Sequence, residues 1–82
     1  MYELEVSGIA KEYKRKTNDI QKTFLELKEE LDIDLFASGA VFILRKGKKE
    51  AQVIVPSRRM RLFKNNENTR LMVEQYLLDQ LV

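Results

Sequence analysis

The stretch AVFILRKGKKEAQVIVP, residues 40–56, has the pattern of a β-hairpin and decides the fold class of this chain. Two runs rich in β-branched and aromatic residues flank a charged segment that contains Gly47. A two-residue turn of type II′ at Gly47-Lys48 would place Arg45 opposite Glu50 and Lys46 opposite Lys49. Both strands are apolar on both faces near their bases, so we expect a helix or a partner to cover each face.

Strand patterns also flank this hairpin. At the N-terminus, Tyr2, Leu4 and Val6 alternate with polar residues until Gly8, which is typical of a half-buried strand. On the other side, Pro56 lacks an amide N–H and ends the second hairpin strand. The segment RMRLF, 59–63, then alternates again and predicts a third strand. The sheet therefore has the hairpin plus one or two further strands.

Helical spacing occupies the two remaining segments. Between Ile9 and Leu31, a stripe with spacings of three and four predicts one long N-terminal helix. Its members are Ala10, Tyr13, Thr17, Ile20, Phe24, Leu27 and Leu31. The stripe is also a short heptad pattern, so it packs on the protein's own sheet or forms a seam between molecules. A second helix, capped by Asn66 or Asn68, runs from about Thr69 to the end.

These patterns define an α+β protein with a small antiparallel sheet, a long N-terminal helix and a C-terminal helix. The 82 residues contain no repeat or linker, so we expect a single domain, 1–82. A chain of this length buries only about 60–65% of its unfolded surface, which favours support from a partner or a second copy.

The residue types present exclude several kinds of chemistry. The chain has no histidine and no cysteine, which excludes histidine-based triads, thiolate nucleophiles and zinc sites built on those residues. Ser7, Ser38 and Ser57 lie in no recognisable motif, and the glycines are isolated. Asp32 and Asp34 form the only tight acid pair, which we interpret as a solvated helix end. We predict a noncatalytic protein with no cofactor, no metal and no evident small-molecule substrate.

The hydrophobic pattern predicts a cytoplasmic protein without membrane contact. The longest apolar run, AVFIL at 40–44, is far shorter than the roughly 20 residues that a membrane helix needs. The opening MYELEVSG carries acids where a signal peptide would carry basic residues.

The charge distribution is strongly uneven. Residues 45–64 contain eight basic residues and one acid, a net charge of +7, whereas the rest of the chain, with seven basic and twelve acidic residues, has −5. This distribution predicts binding of nucleic acid or another polyanion by the basic hairpin and the arginine-rich segment after it. The candidate contacts are Arg45, Lys46, Lys48, Lys49, Arg58, Arg59, Arg61 and Lys64, with Phe63 stacking on an unpaired base.

The opening MYELEVSGIAKEYKRK resembles the strand-then-basic-helix start of RelE-type ribosome-dependent RNase toxins. The resemblance covers about 16 residues and implies, as a remote alternative, a small RNase toxin. The later glycine-rich, arginine-bearing strands of that family have no counterpart here.

A protein-protein interaction module, as a monomer or as a homodimer, is the main alternative function. Apolar residues near the C-terminus, Leu77, Leu78, Leu81 and Val82, favour an adaptor, inhibitor or regulator that grips another protein. One feature separates the two functions. If the hairpin tip and residues 58–64 share one exposed face without acidic partners, polyanion binding is favoured, and if the acidic segment 26–34 folds against them, it is not.

Overall fold

The structure, a computed structural model, describes residues 1–7, 12–30 and 39–82 and shows an α+β fold, as predicted. Its elements are β1 (Tyr2–Ser7), β2 (Tyr13–Thr17), α1 (Ile20–Glu30), β3 (Ala40–Lys46), β4 (Lys49–Val55), α2 (Ser57–Asn65) and α3 (Glu67–Gln80). The strands form one sheet in the order β2-β1-β3-β4. Every neighbouring pair is antiparallel.

The central hairpin has the predicted register. Arg45 pairs with Glu50 and Lys46 with Lys49 across β3 and β4. Gly47, the first turn residue, has a φ of +61°. Lys48, the second turn residue, does not have a positive φ, since only glycines have one in the described part of the chain. A positive φ at the first turn position alone is the signature of the predicted type II′ turn.

One face of the sheet forms the core with the helices. Alternate residues of β1 and β3, such as Leu4 and Leu44, are fully buried there. Phe24 of α1, Phe42 of β3 and Phe63 of α2 meet at its centre, with ring centroids 5.0 to 5.7 Å apart. This aromatic cluster joins three separate elements, and edge-to-face aromatic contacts add about 0.5–1.5 kcal/mol per pair beyond burial.

On the opposite face of the sheet, the described part of the chain provides no covering helix. Val41 and Ile43 are half-buried there, and Ile54 is 71% exposed. The described helices instead bury their apolar residues against the core face. Of the two covers expected for each face, a helix or a partner, no described helix supplies one on this face, and a partner stays a prediction.

The prediction of one helix from Ile9 to Leu31 is also wrong. Tyr13–Thr17 is a strand that pairs with β1, and the helix begins only at Ile20. Opposite charges face each other across this pairing, since Glu3 lies opposite Lys16 and Glu5 opposite Lys14. Residues 8–11 and 31–38 lie outside the described residues, and with them Gly8, Ala10, Leu31 and the Asp32-Asp34 pair.

Asp19 marks the true start of α1. Its carboxylate accepts a hydrogen bond from the backbone N–H of Lys22 at 3.1 Å, as an N-cap residue does. Ile20, Phe24 and Leu27 follow at helical spacing and are buried in the protein's own core. Of the two alternatives for this stripe, packing on the protein's own sheet is confirmed for these residues, rather than a seam between molecules.

The predicted strand at 59–63 is wrong as well, because the segment forms the middle of α2. Met60 and Phe63, three residues apart, are both fully buried, which is the spacing of a helix rather than a strand. A run of five residues fits both periods, and the contacts with the core decide between them. The C-terminal helix is confirmed, and Asn66 caps it by accepting from the N–H groups of Asn68 and Thr69.

Candidate nucleic-acid interface

The basic segment 45–64 is divided between two places in the fold. Lys46, Lys48 and Lys49 surround the hairpin turn, whereas the arginines lie on α2, which follows β4. The seven residues of β4 span about 20 Å at roughly 3.3 Å per residue. The hairpin tip and the start of α2 therefore lie at opposite ends of β4. The tip and residues 58–64 do not share one exposed face, so the condition that would have favoured polyanion binding by both together is not met.

Arg45 is compensated by acidic side chains on the open face of the sheet. Its Nη1 lies 2.9 Å from Glu5 Oε1 and 3.3 Å from Glu3 Oε1, and its Nε lies 3.2 Å from Glu50 Oε2. Hydrogen bonds to Glu5 and Glu50 raise the pKa of Arg45 above its ordinary value. An arginine held by three carboxylates on β1 and β4 joins strands together and is poorly placed to bind phosphate.

The three tip lysines differ in their surroundings. Lys49 Nζ donates to the backbone oxygen of Leu81 at 3.2 Å, at the negative end of α3. Lys46 Nζ lies 5.1 Å from the centre of the Tyr2 ring, in a cation–π contact. Lys48 is exposed and forms no ion pair with a described residue. Lys46 and Lys48 thus keep their positive charge available to a ligand.

Phe63 cannot stack on a base in this fold. Its side chain is fully buried and contacts the rings of Phe24 and Phe42. The proposal that Phe63 contacts nucleic acid is therefore corrected: the residue anchors α2 to the core. A strand would have placed Phe63 beside Arg61, and the helical period instead turns the ring inward.

The outer surface of α2 carries basic residues without acids. Arg58, Arg59 and Arg61 are exposed, and Lys64 is half-buried. The ion pairs in the described part of the chain all use Lys14, Arg15 or Arg45 as the cation, so none engages α2. At about 100° per residue, Arg58 and Arg61 share the face opposite the buried Met60 and Phe63. Among the described acids of α1, Glu30 pairs with Arg15, and no ion pair joins Glu26 or Glu29 to α2.

Arg70 fixes the position of α2, and the sequence reasoning missed this role. Its side chain is only 8% exposed. Nη1 donates to the backbone oxygens of Phe63 at 2.8 Å and Lys64 at 3.1 Å, at the C-terminal end of α2. A cation there complements the helix dipole and satisfies carbonyls that lack helical partners. No motif in the sequence signals this contact.

An apolar groove lies beside the arginines of α2. It has a volume of about 250 Å³ and runs between the end of β4, α2 and α3. Its lining is Val53, Ile54, Val55, Pro56, Arg59, Leu62, Thr69, Met72, Val73 and Tyr76. Four of these apolar side chains are largely exposed: Ile54 by 71%, Leu62 by 51%, Met72 by 62% and Tyr76 by 58%. The apolar surface predicted from the C-terminal residues is mostly not exposed, since Leu77 and Leu81 are buried, Leu78 is half-buried and only Val82 of the four is exposed.

Two other kinds of site have no support among the described residues. Within residues 1–7, 12–30 and 39–82, no three acidic side chains come together in a way that fits a metal ion. No helix in this part of the chain is long and apolar enough to cross a membrane.

Comparison with known proteins finds no matching family, no similar curated protein and no similar solved structure. The geometry of the surface alone therefore carries the functional argument.

Proposed function

We propose that this protein is a noncatalytic binding protein that contacts nucleic acid through the basic face of α2. Arg58, Arg59 and Arg61 are the main contacts, and Lys46 and Lys48 at the hairpin tip provide a second, separate contact. The observation that carries the proposal is the absence of any acidic partner for these side chains among the described ion pairs.

The chemistry of these groups suits binding to phosphate. A guanidinium presents planar pairs of N–H donors that match phosphate oxygens, and it stays charged at every physiological pH. Because α2 is held by buried Met60 and Phe63, its outward side chains project from a fixed backbone. The contacts that we propose are to the phosphate backbone, which would give affinity without strong sequence preference.

Fluorescence anisotropy of labelled duplex and single-stranded oligonucleotides between about 50 and 200 mM salt tests this function. Arg58→Gln with Arg61→Gln removes two charges from α2, and Lys46→Gln with Lys48→Gln removes two from the tip. Each lost phosphate contact reduces the slope of log K against log salt by about 0.9 on duplex DNA. We expect the α2 variant to lose close to two slope units and the tip variant to lose less.

The matched control is Lys22→Gln with Lys28→Gln, which removes the same charge from α1, where Glu26 and Glu29 are neighbours. Circular dichroism establishes that each variant is folded. If the α2 variant and this control bind with the same affinity and slope, the arginines of α2 are not a nucleic-acid surface. Absence of binding at the lowest salt would overturn the function as a whole.

The fold affects the two alternative functions differently. The RNase toxin rested on a strand followed by a basic helix, and the basic residues Lys14, Arg15 and Lys16 instead lie in β2. We do not propose it further. A protein-binding module has a specific observation in its favour, the exposed apolar groove, which is independent of the charges.

A further inference from the structure

The groove between β4, α2 and α3 contains a piece of sheet edge that none of the described residues occupies. Gln52 lies on the outer edge of β4, and its backbone N–H and C=O both bond to the side-chain amide of Gln80, at 3.1 and 2.9 Å. Backbone groups two residues apart in a strand point the same way, so those of Ile54 also point outward. No side-chain hydrogen bond reaches Ile54 from the described residues, and Ile54 lines the groove.

The accessible edge is short and has defined limits. Gln80 occupies it at Gln52, on the side of the hairpin tip. On the other side Pro56 has no N–H, and its carbonyl already accepts from Arg59 and Met60 of α2. Between these limits an incoming chain could form a pair of backbone hydrogen bonds with Ile54. Its side chains would then reach the exposed apolar surfaces of Leu62, Met72 and Tyr76.

Charge indicates what kind of chain fits. Among the described residues that line the groove, Arg59 alone is charged, and Arg58 and Arg61 lie near it on α2. We propose that the groove binds an extended segment of a partner protein, added as a short strand at Ile54, with apolar side chains two residues apart and an acidic residue near Arg59. Such edge addition obtains affinity from backbone bonds and specificity from side-chain pockets.

A second copy of this chain fits the groove poorly. A two-fold contact brings the same surface of both molecules together, so the arginines of one α2 region would add to a surface that is already basic. Each copy would also offer the same edge, limited by its own Gln80 and Pro56. The segment is therefore assigned to a different protein with acidic residues. This binding goes beyond the proposed nucleic-acid function and uses a separate set of residues, apart from Arg59.

Selection of a phage-displayed library of random 12-residue peptides on the whole protein tests this inference. We expect enriched peptides with apolar residues at alternating positions and at least one Asp or Glu. In titrations, the double variant Leu62→Ser with Met72→Ser should bind the enriched peptides about 10-fold more weakly or worse, because the two substitutions remove apolar contacts in the groove. Leu71→Ser, also on α3 and 44% exposed but outside the groove lining, is the matched control and should bind normally.

Hydrogen exchange distinguishes strand addition from other modes of binding. The backbone N–H of Ile54 should become protected when a selected peptide binds, while the Leu62 and Met72 variant should keep wild-type affinity for oligonucleotides. The inference is overturned if no peptide is enriched, if binding ignores the groove variant, or if the peptides carry apolar residues at helical spacing. It is also overturned if the protein is a dimer that the groove variant dissociates, since a second copy would then be the occupant.

Discussion

The side-chain amide of Gln80 completes the hydrogen bonding of Gln52 on the outer edge of β4. Gln80 Oε1 accepts from the Gln52 N–H at 3.1 Å, and Gln80 Nε2 donates to the Gln52 carbonyl at 2.9 Å. The amide thus takes the position of a residue in a neighbouring strand. It attaches the end of α3 to the sheet and protects the Gln52 position of an edge that could otherwise pair with other chains.

Replacing Gln80 with alanine should expose this edge and loosen α3. We expect a loss of about 1–3 kcal/mol from two bonds of roughly 0.5–1.5 kcal/mol each. Urea unfolding measures the loss, and faster exchange of the Gln52 amide locates it. The control is Gln75→Ala, whose side chain bonds only to Asp79 on the same helix. Equal rates of amide hydrogen exchange at Gln52 in both variants would contradict the proposed protection of Gln52 by Gln80.

Gly39 should be far less replaceable than Gly47, although both have positive φ. A Cβ on Gly39 would lie 2.9 Å from the Val55 oxygen and 3.2 Å from the Ser57 nitrogen, whereas a Cβ on Gly47 meets nothing within 4 Å. Gly47→Ala should cost about 1–2 kcal/mol for the left-handed conformation alone. Gly39→Ala should cost clearly more, because backbone must also move. Equal unfolding midpoints for the two variants would show that the chain turn at Gly39 relaxes freely.

Phe63 should matter for stability and not for nucleic-acid binding. Truncation to alanine removes a fully buried ring, at a cost of about 3–5 kcal/mol. The milder Phe63→Leu should remain folded and bind oligonucleotides like the wild type. Leu62→Ala, one position along but 51% exposed, is the stability control, with an expected change within about 0.5 kcal/mol. Selective loss of single-stranded binding in folded Phe63→Leu would restore the stacking role.

Arg45→Gln should destabilise the fold by leaving Glu3, Glu5 and Glu50 without their shared cation. We expect a lower unfolding midpoint at neutral pH, because the three carboxylates then repel one another without a compensating guanidinium. Lys48→Gln removes the same charge from the exposed hairpin tip and should leave the midpoint nearly unchanged. If the two variants unfold alike at neutral pH, the carboxylate cluster contributes nothing through Arg45.

Tyr13 should make the fold sensitive to alkaline pH. Burial, followed by the nearby Glu30 carboxylate, raises the pKa of Tyr13 in the folded state. The folded protein therefore holds this proton more tightly than the unfolded chain, and stability is complete below about pH 10 and falls as pH rises through the folded pKa. In Tyr13→Phe this fall should be absent, whereas the exposed Tyr76→Phe should retain it. Denaturant unfolding between pH 8 and 11, about the range of tyrosine ionisation, measures both.

The Tyr13→Phe substitution should be tolerated well at neutral pH. The Tyr13 hydroxyl is buried without a hydrogen-bond partner among the described residues. Its removal should leave stability unchanged or slightly higher, because an unsatisfied buried polar group is costly. A loss of more than about 1 kcal/mol would mean that the hydroxyl has a partner.

The sequence alone determined the parts of this fold that depend on local chemistry. A glycine that tolerates positive φ, between two β-branched runs, set the turn at Gly47 and with it the pairing of Arg45 with Glu50. Asn66 begins α3 for an equally local reason, since its side chain accepts from N–H groups only two and three residues away. The concentration of positive charge in residues 45–64 was also evident from the sequence alone.

Only the tertiary structure decided where short ambiguous segments belong. Tyr13–Thr17 fits a helical stripe, but β1 offers it backbone bonds and opposite charges, so it becomes a strand. Residues 59–63 fit a strand, but the aromatic core takes Phe63 and makes them a helix. The same contacts separate the tip lysines from the arginines and create the groove at Ile54. Such outcomes depend on contacts between residues far apart in the chain, which no local pattern records.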